Sequence, residues 1–102
     1  MKEEPFGPLV PILTFKTFDE VIERANDNDL GLCSYLYTNS MDKAHIGSEK
    51  LETGCVAVNT GVVALAEAPF GGIKQTGYGR EGGSGAIKDY LNVKYTHMGL
   101  KI

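Results

Sequence analysis

A few residues in this chain have the type and spacing to do chemistry. Glu4-Pro5-Phe6-Gly7-Pro8 sets a carboxylate two residues before an aromatic ring, in a turn held by two prolines. A carboxylate accepts hydrogen bonds from a vicinal diol such as a ribose, and a ring can pack against a flat heterocycle. Gly77-Tyr78-Gly79-Arg80-Glu81-Gly82 has the spacing G-x-G-x-x-G. In a dinucleotide fold such glycines bring the backbone close to a pyrophosphate at a helix N-terminus. Here the run follows Phe70-Gly71-Gly72-Ile73-Lys74-Gln75-Thr76 rather than a strand, and no acidic residue stands about 20 positions on. Loop geometry is the better reading of these glycines. Arg80 and Glu81 within them are expected to fix the loop through ion pairs.

Cys33 and Cys55 are the two candidate nucleophiles. A catalytic cysteine needs partial exposure and a base or an electropositive neighbour. Both sit in apolar segments and read as core thiols. They have no C-x-x-C partner and no nearby histidine, so no metal site is expected. A disulfide is not expected in a chain without a secretion-signal layout. His45 falls mid-helix and His97 in a strand-like segment, neither with a partner at ligand spacing. No catalytic residue and no metal ligand is therefore expected in this chain.

The elements that must position these groups alternate. Residues 8–15, Pro-Leu-Val-Pro-Ile-Leu-Thr-Phe, are apolar and β-leaning, with Pro11 placing a strand start near Ile12. Thr17-Phe18-Asp19-Glu20 is a capping-box pattern, and Phe18, Val21, Ile22 and Ala25 follow as one helical stripe. Asn26, Asp27, Asn28, Asp29 and Gly31 stop that helix. Residues 32–38 form a second strand, buried on both faces. A second helix spans about 41–53 with Asn39 or Ser40 as its cap, and Gly54 suits a left-handed residue after it. Residues 55–59 give a short apolar strand. The order β-α-β-α-β predicts an α/β fold with a parallel sheet and right-handed crossovers. Residues 60–85 then hold eight glycines and neither period, a long loop of the kind that usually carries function. Ser84 can cap a short third helix with Ile87, Tyr90 and Leu91, and residues 93–98 alternate like a strand.

At 102 residues, with 42% apolar content and a formal charge of -3, the chain is globular and holds one domain or part of one. Interspersed charges point to neither nucleic acid nor a membrane surface. No apolar run could span a bilayer, and Met1-Lys2-Glu3-Glu4-Pro5 has no signal-peptide layout, so a cytoplasmic location is expected.

Taken in order, five segments resemble the C-terminal part of the aldehyde dehydrogenase superfamily. Glu4-Pro5-Phe6-Gly7-Pro8 is similar to its E-x-F-G-P motif. Ala25-Asn26-Asp27 with Gly31-Leu32 resembles its A-N-D-x-x-x-G-L segment, and Leu51-Glu52-Thr53-Gly54 leading to Val58-Asn59 its helix-to-strand step. Pro69-Phe70-Gly71-Gly72-Ile73-Lys74-Gln75-Thr76-Gly77 with Gly79-Arg80-Glu81 is similar to P-F-G-G-x-K-x-S-G-x-G-R-E, with Thr76 where serine is usual. The resemblance implies the C-terminal segment of a catalytic domain over residues 1–90 and an oligomerisation strand and tail over 91–102. It implies that Glu4 binds the nicotinamide-side ribose of NAD or NADP, that Phe6 packs near the nicotinamide, and that Phe70 lies beside the aldehyde tunnel. A homo-oligomer is implied through roughly residues 91–98.

The chemistry so implied is oxidation of an aldehyde to an acid. A cysteine attacks the carbonyl, hydride leaves to the nicotinamide, and water hydrolyses the thioester with a glutamate base. In the family those groups lie upstream of E-x-F-G-P, which makes this chain a fragment expected to be inactive alone. Val58-Asn59-Thr60-Gly61 and the Pro69 segment are most similar to succinate-semialdehyde dehydrogenases, so that aldehyde or a similar semialdehyde is the implied substrate. Those enzymes place a serine for the substrate carboxylate where this chain has Val62-Val63-Ala64-Leu65-Ala66. The alternative is a non-catalytic binding or assembly module that keeps the fold.

Overall fold

Thr17 starts the first helix. Its backbone is extended (φ -127°) and its hydroxyl accepts from the Glu20 N–H at 3.2 Å, satisfying a donor that the first turn leaves free. The Glu20 carboxylate reaches back to the Lys16 N–H at 2.8 Å, one residue ahead of the group a capping box uses. The computed structural model describes residues 3–101; the outermost positions of the two expected regions, Met1, Lys2 and Ile102, lie outside the described residues. Helix α1 runs Phe18–Asn26 and buries Ile22, with Phe18 and Val21 half-covered and Ala25 exposed.

Strands β1 (Leu30–Gly31) and β2 (Cys33–Leu36) follow, then helix α2 (Met41–Lys50) and strand β3 (Cys55–Val58). Ser40 caps α2 by accepting from the Lys43 N–H, and the helix ends before the expected 53 because Leu51 is already extended. Strand β3 pairs parallel to β2 in the register Cys33↔Cys55 through Leu36↔Val58. The unit β2-α2-β3 is thus the parallel crossover expected from the alternating pattern. Its core is small: Ile22 and Ala57 are the described apolar residues classed as buried. Tyr35 is half-exposed at 52%, so β2 is not covered on both faces as expected. Gly47 lets the Leu36 and Phe18 side chains lie against α2, since a Cβ there would stand 3.4 Å from the Phe18 ring and closer still to Leu36.

The glycine-rich stretch is more ordered than its composition suggests. Strand β4 (Ile73–Lys74) pairs antiparallel with β1, and Phe70 bridges Glu81. Gly54 is not left-handed; it is a point of close approach, because a Cβ there would run into the Gly71 carbonyl and stand 2.8 Å from its carbon. The left-handed glycines are 77, 79, 82 and 83. The third helix is a 3-10 turn, Ala86–Tyr90, preceded by Gly85 rather than Ser84 and without a side-chain cap.

Two expected strands do not form. Residues 8–15 and 91–98 carry no strand, and Ile12, Val93 and Tyr95 stand at 84%, 102% and 85% exposure. Strand hydrogen bonds need a neighbouring backbone, and no described strand runs beside either segment. The chain is accordingly long, 75 × 33 × 24 Å with a radius of gyration of 19.2 Å, against about 13 Å for a compact domain of 100 residues. Among the described residues no helix is long and apolar enough to cross a membrane.

Candidate functional site

Glu4 lines a cavity of about 740 Å³ whose other walls include Asn28, Cys33, Ser34, Gln75 and Thr76. The floor is β1 and the start of β2; the far wall is the turn after β4. Short hydrogen bonds set that geometry. Asn28 Oδ1 accepts from the Leu30 N–H at 3.0 Å, and Thr76 Oγ1 accepts from the Gly31 N–H at 2.8 Å. The Gln75 N–H donates to the Asp29 carbonyl at 2.9 Å. Any hydroxyl at 76 can brace Gly31, which accounts for threonine standing where serine is usual. Glu4 is exposed, and it lines a cleft that Asn28, Ser34, Gln75 and Thr76 also line.

Phe6 does not join it. Its ring is 95% exposed and is absent from that cavity's wall. Phe70 is half-buried and fixed by two backbone hydrogen bonds with Glu81, at 2.7 and 2.9 Å. It sits between two shallow recesses of about 350 and 280 Å³. The smaller is lined by Ala64, Leu65, Ala66, Phe70, Glu81 and Gly82. The Val62–Ala66 stretch thus stands beside Phe70, and it offers no hydroxyl there. Glu4 and Phe70 line different cavities, although Leu32 and Thr76 contribute to both the 740 and the 350 Å³ walls.

The glycines of G-x-G-x-x-G carry φ values of +116°, +86° and +68°, a left-handed backbone that glycine adopts without steric cost. Arg80 fixes that loop, but through carbonyls: Nη1 donates to Gly72 at 2.8 Å and to Gly79 at 2.7 Å, and its backbone N–H donates to Asp89 Oδ2 at 3.1 Å. No ion pair between Arg80 and Glu81 forms among the described residues, since Glu81 is held through its backbone.

Lys74 enters the sequence reading only as the lysine of the P-F-G-G-x-K segment, with no role of its own. It takes a left-handed φ of 56°. Its ammonium donates to the carbonyls of Asn26 at 2.9 Å and Asn28 at 3.0 Å, and pairs with Glu52 at 2.6 Å. Asn26 completes the knot, donating to the Lys50 carbonyl at 2.7 Å and accepting from the Glu52 N–H at 2.9 Å. The ends of α1 and α2 and the glycine-rich segment are tied at one point. The signal available was the Asn-Asp cluster, which marks a helix stop and not a set of partners.

The cysteines lie side by side in the β2–β3 ladder, both half-buried and free. Burial, followed by the neighbouring Cys55, pushes the Cys33 thiol up, the opposite of what a nucleophile needs. His45 and His97 are exposed, and no three His, Cys, Asp or Glu side chains gather as a ligand set among the described residues.

The sequence model of the aldehyde dehydrogenase family matches residues 1–96. Over 99 residues the chain is 48% identical to a succinate-semialdehyde dehydrogenase [NADP(+)] of Escherichia coli, covering 97% of this chain and 20% of that protein. It is 50% identical over 97 residues to a 3-sulfolactaldehyde dehydrogenase of Pseudomonas putida, covering 95% and 20%. A Bacillus cereus aldehyde dehydrogenase solved as an NAD+ complex superposes with a TM-score of 0.87 at 46% identity, over 91% of this chain and 19% of that one. The chain spans about a fifth of the length of the relatives it matches.

Proposed function

The chain belongs to the aldehyde dehydrogenase family, and from that premise we propose that it is the part of an NAD(P)-dependent enzyme that orients the cofactor ribose and lines the aldehyde entry. The observation that carries this is Glu4, an exposed residue lining one cleft with Asn28, Ser34, Gln75 and Thr76. A ribose diol can donate to that carboxylate while the amides and hydroxyls take the remaining hydrogen bonds. A nicotinamide bound there supplies the electron acceptor for aldehyde oxidation. Phe6, on its exposed turn, is free to pack against a flat ring, and Phe70 presents one face to the recess beside Ala64 and Leu65. The substrate is a semialdehyde, in line with the relatives' names; the apolar Val62–Ala66 wall lowers discrimination against uncharged aldehydes.

The groups that attack the aldehyde are not Cys33 or Cys55, whose sulfurs face each other within a ladder. The chain alone is therefore expected to give no NADH above a blank with NAD and several aldehydes. Turnover that disappears on Cys33→Ala or Cys55→Ala overturns this. Joined to the rest of such an enzyme, Glu4→Gln is expected to weaken cofactor binding or slow the redox step by about 1.5–3 kcal/mol, with an unchanged melting temperature. Wild-type kinetics in that variant sink the assignment.

An assembly role rests on a separate observation, the alternating segment 93–98, in which Val93, Tyr95 and Met98 are all more than four-fifths exposed. An unpaired extended segment recruits another backbone. Sedimentation at tens of micromolar is expected to show at least a dimer, and removing residues 93–102 to restore the monomer; a monomer from the start refutes the idea.

A further inference from the structure

The geometry points to Cys33 and Cys55 as a reversible dithiol–disulfide pair that staples β2 to β3 at the edge of the Glu4 cleft. Partners in a parallel ladder project to the same face with their backbones about 4.8 Å apart. That spacing falls inside the Cα window that a disulfide spans. The register pairs these two cysteines directly. The Cys55 thiol donates to the Gly71 carbonyl oxygen at 3.7 Å, which places it beside the glycine-rich segment. Cys33 is half-buried and lines the 740 Å³ cavity, which gives a small oxidant a route to it from solvent. The proposal does not depend on the dehydrogenase reading.

The oxidant is a peroxide. The Cys33 sulfur attacks one peroxide oxygen in its thiolate form, the O–O bond breaks, the departing hydroxide takes up the thiol proton, and a sulfenic acid and one water form. The Cys55 sulfur then displaces the hydroxyl from Cys33 as a second water, with its thiol proton, and the S–S bond closes. Two thiols and one hydrogen peroxide become one disulfide and two waters; a dithiol reductant returns the thiols. Burial pushes the Cys33 thiol up, which slows the first step, and the proximity set by the ladder register drives the second. The Cβ atoms must approach about 1 Å nearer than the ladder spacing, which strains the bond and makes it easy to reduce. Closing it pulls the cleft floor toward β3.

Hydrogen peroxide added to the full chain, followed by alkylation and tryptic digestion without reductant, tests this. Cleavage after Arg24, Lys43, Lys50 and Lys74 separates the two cysteines onto peptides 25–43 and 51–74. The expected product is those two peptides joined, from a chain of unchanged size, lost on dithiothreitol and absent in Cys33→Ser. The link is expected to form on the order of tenfold faster in the folded chain than in guanidinium, since the fold supplies the proximity. Equal rates in both conditions, links between copies, or separate sulfinic and sulfonic acids without a link each overturn the proposal.

Discussion

The middle of this molecule and its two ends are built on opposite terms. Between Thr17 and Tyr90 the backbones approach so closely that glycine is required. Gly54 admits no Cβ against Gly71, and one at Gly31 would stand 2.7 Å from the Glu52 carbonyl oxygen. Polar groups there find partners within the chain. Residues 3–16 and 91–101 carry Phe6, Val10, Ile12, Val93 and Tyr95 at more than four-fifths exposure. Apolar side chains spaced like strands, yet uncovered, make the kind of surface that a partner can cover. The difference separates residues that make this fold from residues that the fold leaves uncovered, and substitutions can test that division.

The largest effect is expected at Gly54. In Gly54→Ala the new methyl meets the backbone of Gly71 and Gly72, which cannot rotate away as a side chain would. A loss of about 3 kcal/mol is expected, read as a fall in the denaturation midpoint. A near-neutral result means that the glycine-rich segment does not pack on β3, and the comparison fails at its centre. Next comes Lys74→Met, which leaves the Asn26 and Asn28 carbonyls without their donor and Glu52 without its partner. About 2 kcal/mol is expected. Glu52→Gln is expected to cost less, because that carboxylate is half-exposed and water can screen the pair. Equal losses indicate that the ion pair, not the carbonyl ligation, holds the knot.

These two sites also show where sequence reading reached its limit. Thr17 and Ser40 signal their helices through contacts three residues away, and the β2-α2-β3 crossover follows from apolar runs on either side of α2. Local chemistry carries such information. The β1–β4 pair consists of two-residue strands far apart in sequence, Gly31 against Ile73 and Leu30 against Lys74. No periodicity fits in two residues. Lys74 is left-handed and bonded across 46 and 48 positions, a placement that its neighbours in sequence do not encode. The Cys33–Cys55 juxtaposition likewise depends on ladder register. Of the site, Glu4 and Phe70 were reached through motif resemblance, whereas their separation into two cavities came only from the fold.

A smaller effect belongs to the start of α1. Thr17→Ala removes the cap on Glu20's N–H and is expected to cost about 1 kcal/mol. Glu20 adds a pH signature there. The Lys16 N–H, and after it the Arg24 guanidinium, hold its carboxyl below the usual Glu range. A lowered carboxyl stabilises the fold fully above the ordinary Glu range, and that contribution is lost as pH falls through the lowered value. Acid titration of helicity in Glu20→Gln should lack that step. An identical acid limb in both proteins would show that the Lys16 contact is not held in solution.

The smallest effect is expected at the ends, and its smallness is what sharpens the division. Phe6→Ala and Tyr95→Ala remove two of the largest side chains in the molecule. In a core such truncations cost about 3–5 kcal/mol through lost burial and the cavity left behind. Here neither term operates, since Phe6 is 95% and Tyr95 85% exposed. The Tyr95 hydroxyl loses only a 3.4 Å contact with His97 Nδ1, two residues away and in the same exposed segment. Both variants are expected to unfold within about 0.5 kcal/mol of the parent at dilutions where the chain is monomeric. At tens of micromolar the two are expected to part. Tyr95→Ala should shift sedimentation toward the monomer if the end segment pairs with another copy, while Phe6→Ala should leave it unchanged. A loss of monomer stability at either position would mean that the ends fold back on the middle in solution, and the exposed strands would then need no outside partner.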